Sequence, residues 1–98
     1  MIYNTEIFEV SDINEFKRAL ESLRGAMSEA GGTELRIYRC VDNPTKVLAA
    51  MYWPDAESCR AFARDYKAEV ESTLRPALAS HQPEDLWEEI STTGGAGA

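Results

Sequence analysis

Positive charge is scarce in this chain, metal-ligand spacings are missing, and no long apolar run occurs. Ten lysines and arginines stand against 17 acidic residues, a formal charge of -7, and no stripe of basic residues could neutralise successive phosphates. Nucleic acid and anionic membrane surfaces are therefore excluded as expected partners. Histidine occurs once, at His81, and cysteine twice, at Cys40 and Cys59, with no Cys-x-x-Cys. That supports neither a zinc site nor a disulfide framework, so the cysteines read as small apolar residues and no metal is expected. No segment approaches the roughly 20 apolar residues of a membrane span, and "MIYNTEIFEV" has no basic stretch before an apolar one. A soluble cytoplasmic protein is the expectation, without internal repeats.

What is present is enough for one core. With 98 residues, 44% of them hydrophobic, the chain has the size of one ordinary domain and the apolar content to offset the entropy of ordering it. The domain is read as residues 1–91, and "TTGGAGA", residues 92–98, as a flexible tail. Residues 1–10 read as a strand. Asp12 with Glu15 forms a capping box for a helix whose apolar stripe runs Ile13, Phe16, Leu20, Leu23, Met27 and Ala30, and Gly31-Gly32 stops it. Residues 34–41 and 46–53 read as two strands joined by a turn at "DNPT". Asp55 caps a second helix with Cys59, Phe62, Tyr66, Val70 and Leu74 on its buried side, which Pro76 ends or kinks. "ASHQPED" reads as a loop, and Leu86, Trp87 and Ile90 mark a last strand.

The order βαββαβ is that of a ferredoxin-like α+β domain, a four-stranded antiparallel sheet with both helices on one face. Its other face, roughly 400 Å² at ordinary strand spacing, is as large as the apolar patches that soluble monomers usually show. It needs a cover. Pairing Val41 with Lys46 across the turn places Leu35, Ile37, Arg39, Val41, Leu48, Ala50 and Tyr52 on one side and Arg36, Tyr38, Cys40, Val47, Ala49, Met51 and Trp53 on the other. The more aliphatic first set is assigned to the helices.

Two stretches carry a family resemblance: "VSDINEFKRALE" and "LRIYRCVDNPTKVLAAMYWPDAESCRAFA". They resemble the opening and the Arg-Val-Phe-Arg, Asp-Asp-Pro-Asn, Glu-Trp-Asp and Ala-x-x-Phe series of small dimeric α+β barrel proteins, the antibiotic-biosynthesis monooxygenase-like superfamily. The resemblance implies a homodimer in which two bare sheet faces meet as a barrel, each subunit keeping a pocket between its sheet and helices or within the barrel. Cofactor-independent monooxygenases, polyketide cyclases, haem-degrading enzymes and members without known activity all share this architecture. The haem-degrading branch asks for an Asn on the first strand and a Trp and a His on the second helix. Asn4 meets the first requirement, Phe62 stands near the Trp position and the helix has no His, so that branch is set aside. No cofactor is expected.

The candidate ligand-binding residues are Asn4, Glu6, Arg36, Tyr38, Met51, Trp53 and His81. Amide, guanidinium and hydroxyl groups suit an oxyanion or carbonyl on an aromatic or polyketide-like molecule, and Trp53 suits an aromatic wall. Glu6, if desolvated, suits a general base. No catalytic residue is assigned. Each has a plain alternative: Arg36 and Arg39 as partners of Glu34 or Glu6, Tyr38, Met51 and Trp53 as core or interface residues, and His81 as a solvated loop residue. Ala49-Ala50 leave room for a cavity on either face, which closure by Met51 and Trp53 would remove.

Overall fold

The computed structural model describes residues 1–91, so the tail expected at 92–98 lies outside the described residues. Nine-residue β1 (Ile2–Val10) leads into α1 (Ile13–Glu29), where Asp12 Oδ1 accepts from the Glu15 amide at 3.0 Å. Phe16, Leu20, Leu23 and Met27 are the buried stripe of α1, the 3.6-residue period read from the sequence. Gly31, at φ +111°, reverses the chain, and Gly32 lets the backbone pass Met51 and Trp53, whose side chains would meet an added Cβ at 2.5 and 3.1 Å.

β2 (Thr33–Cys40) and β3 (Asn43–Trp53) form the expected antiparallel hairpin, but the turn is Val41-Asp42 rather than "DNPT". Cys40 faces Asn43, and the Asn43 side chain accepts from Thr45. Pro44 falls where the register shifts between Arg39 and Cys40 and has no ladder partner, so its missing N–H costs nothing there. Moving the turn shifts the pairing by one residue: Arg36 faces Ala50, Ile37 faces Ala49 and Tyr38 faces Leu48. The expected grouping of faces is thereby corrected. Val47, Ala49, Met51 and Trp53 lie on the helix side with Leu35 and Ile37, whereas Leu48, Ala50 and Tyr52 share the outer side with Arg36 and Tyr38. A second bulge, between Thr33 and Arg36, contains Glu34 at φ 55°.

Asp55 caps α2 (Ala56–Asp65), accepting from the Ser58 amide at 2.7 Å. The expected single helix is bent at Tyr66 into α2 and α3 (Lys67–Leu74), although bonds from Tyr66 N to Phe62 O and from Val70 N to Tyr66 O carry the ladder across. Pro76 sits in a 3₁₀ turn, Arg75–Ala77, that ends the helical segment.

The expected loop is instead β4 (Leu78–His81), followed by β5 (Asp85–Glu88). Strand order is β2-β3-β1-β4, with β5 also paired to β1. β4 pairs with Phe8–Val10 and β5 with Ile2–Thr5, so five strands fill four positions, the last being one edge strand broken at 82–84. The Gln82 amide still donates to the Ile7 carbonyl, at 2.9 Å, holding the break against β1. The core lies between the sheet and α1, α2 and α3, centred on the fully buried Phe16 and Val47.

Candidate functional site

Strand parity determines which candidates can meet. Asn4, Glu6 and Phe8 face Met51, Ala49 and Val47 across β1 and β3, all on the helix side. Together with α1, α2 and α3 they enclose a mainly apolar cavity of about 270 Å³. Leu20, Leu23 and Met27 form one wall, and Cys59, Phe62 and Val70 another. Ala49, directly opposite Glu6, supplies the room expected of a small residue. Met51 and Trp53 line the cavity without closing it.

The polar groups gather at the broken edge. His81 Nδ1 lies 3.2 Å from Glu6 Oε2, and Asn4 Nδ2 donates to Glu84 Oε2 at 2.8 Å. His81, Pro83 and Glu84 all line the cavity because the break at 82–84 turns this segment toward it. The Glu6 carboxyl is pushed up to about 7, first by burial and then by nearby Glu84, while His81 draws it down. Burial likewise pushes the Cys59 thiol up to about 12, which keeps it protonated and unreactive in the cavity wall. The Trp53 indole Nε1–H, wholly buried, has no hydrogen-bond partner among the described residues. No three His, Cys, Asp or Glu side chains among the described residues converge as metal ligands.

Five of the seven sequence candidates, Asn4, Glu6, Met51, Trp53 and His81, are thus brought together. Arg36 and Tyr38 are not: they lie on the outer face, where Arg36 pairs with Glu34 at 3.5 Å. Their neighbours there include Tyr3 and Tyr52, stacked at 4.6 Å, and Trp87, whose Nε1 donates to Thr5 Oγ1 at 2.7 Å. Burial and then Tyr38 and Tyr52 hold the Tyr3 hydroxyl above its ordinary range. Sequence reasoning missed Glu84, because "ASHQPED" gave no sign that its two ends pair with the same strand. Pro83 inside it was the available signal for a strand break.

No protein-family model matches the chain, and no curated protein matches it in sequence. Solved structures do. A candidate antibiotic biosynthesis monooxygenase from Bordetella bronchiseptica superposes with TM-score 0.78 at 14% identity, covering 92% of this chain and 97% of that one. SnoaB, a cofactor-independent oxygenase from Streptomyces nogalater, gives 0.76 at 17% identity over 95% and 96% of the two chains. A dimeric ferredoxin-like protein from an uncultured marine organism gives 0.60 at 14% identity, over 93% and 92%. No helix among the described residues is long and apolar enough to cross a membrane. The chain carries the ferredoxin-like α+β fold shared by antibiotic biosynthesis monooxygenase-like proteins, as its sequence resemblance implied.

Proposed function

We propose that the protein is a homodimer that binds an aromatic or polyketide-like molecule in each subunit's cavity and acts as a cofactor-independent oxygenase. The observation that carries this is the cavity itself, apolar on most sides with Asn4, Glu6, His81 and Glu84 at one rim. Such a site binds a flat apolar body and orients it by a few polar groups. A 150 Å³ apolar cavity accommodates benzene, so one of about 270 Å³ suits two fused rings. The buried Trp53 N–H offers a donor to an acceptor on the ligand, since leaving it unmatched is costly.

In this reading the electron-rich ligand supplies the electrons that reduce dioxygen, and the protein binds, orients, excludes water and holds a proton. The likeness to SnoaB supports it through the shared fold. The exposed aromatic outer face supports the dimer, as does the dimeric ferredoxin-like neighbour.

An oxygen electrode with 1,5-dihydroxynaphthalene, an electron-rich two-ring phenol, as the offered substrate tests the oxygenase. Wild type accelerates uptake, and Ala49→Leu, which fills the space opposite Glu6, abolishes it while remaining folded. Uptake no faster than in buffer would remove the oxygenase reading, and cavity binding would then stand as that of a cyclase or a non-catalytic carrier.

A further inference from the structure

Glu6 is retained at the rim of a mainly apolar cavity at a cost. It lies on the central strand β1, its side chain only about a quarter exposed, and no backbone amide among the described residues donates to it. Ionised, it has one close partner, His81, whose own side chain is more than half exposed and therefore compensates it weakly. From the other packed elements, Glu84 at the broken edge, Cys59 on α2, and Lys67 and Glu71 on α3 line the same cavity. Glu84 is engaged by Asn4, which keeps that carboxylate turned to the edge and leaves Glu6 as the acceptor facing Ala49. A merely structural role would favour a neutral or apolar residue here.

Resting on the cavity reading above, we propose that Glu6 is the proton acceptor of the site, positioned by His81, and that the ligand is a compound of one or two rings carrying an acidic hydroxyl, a phenol or enol. The ligand O–H first donates to the Glu6 carboxylate. In reaction the proton moves to a Glu6 carboxyl oxygen, leaving a neutral acid and a ring oxyanion whose electron pair is delocalised into the ring. A carboxyl raised to about 7 by burial is matched to that exchange near neutrality. The cavity volume of about 270 Å³ sets the size.

Binding of 1-naphthol and of near-isosteric 1-methylnaphthalene, measured by titration calorimetry, tests this. With wild type, 1-naphthol tightens about tenfold between about pH 5.5 and about pH 8.5, because a carboxylate accepts a hydroxyl more strongly than a neutral acid does. 1-Methylnaphthalene weakens over the same range, as the charged carboxylate resists desolvation. Glu6→Gln, nearly isosteric, removes the pH dependence of 1-naphthol binding. His81→Gln keeps it with a midpoint moved upward, since the His81 partner that draws the Glu6 carboxyl down is gone. Equal binding of both probes at every pH would overturn the proton-acceptor assignment and leave the cavity reading standing. Binding of neither would overturn both.

Discussion

The two faces of this sheet are built from alternate residues of the same strands and differ in what they are finished against. Toward the helices, Val47, Met51, Trp53 and Phe8 are buried against α1 and α2, and the space they leave is a partly open, mainly apolar cavity with Asn4, Glu6, His81 and Glu84 at one rim. Away from them, Tyr38 and Trp87 remain 49% and 55% exposed beside the Tyr3–Tyr52 stack, with Arg36 and Glu34 at the margin. One face lines a cavity because its cover belongs to the same chain. The other presents a broad aromatic surface, whose fitting cover in the proposed dimer is another copy of itself.

Substitutions on the two faces should therefore fail in different ways. The largest effect falls on the helix face: Phe16→Ala, at a fully buried site, lowers unfolding free energy by about 3–5 kcal/mol in urea titrations. An equal loss from Tyr38→Ala in isolated subunits would erase the distinction. Next comes Leu48→Asp, centred on the outer face opposite Ile7 and Tyr38, which weakens the proposed dimer by about 2–4 kcal/mol. Sedimentation equilibrium should show monomer, and far-UV circular dichroism an unchanged helix content.

The smallest effect concerns pH. The folded carboxyl of Glu6 sits at about 7 against its ordinary value of 4.5. A raised acid makes the unfolded state the readier to lose its proton, so its contribution is fully present below the ordinary value and lost as pH rises through about 7. Allowing for partial exposure, the loss is about 1–2 kcal/mol. Thermal unfolding of Glu6→Gln across that range should lack this slope, and an unchanged slope would place its origin in another group.

Much of this was legible in the sequence where local chemistry and periodicity agree. Asp12 and Asp55 announced helix starts, and Phe16, Leu20, Leu23 and Met27 announced the buried stripe. The order of elements announced a sheet with one bare face. Register was not legible in the same way, because Asp42, Asn43 and Pro44 favour turning at several positions and a single residue exchanges every side chain between faces. That shift separated Arg36 and Tyr38 from Trp53. Ala49 stands opposite Glu6 through the separate β1–β3 pairing, which no local pattern records. The break at 82–84 escaped notice for a related reason: β4 and β5 are each four residues long and gain their structure from β1.

The chain's two tryptophans stand one on each face, Trp53 in the cavity and Trp87 on the outer surface, which makes one experiment decisive. Their indole N–H resonances can be followed separately in a ¹⁵N-labelled sample. Adding 1-naphthol should move the Trp53 signal and leave Trp87 in place, whereas diluting the protein through dimer dissociation should move Trp87 and leave Trp53 in place. Ligand-induced movement of Trp87 alone, with Trp53 unaffected, would contradict the division of the two faces.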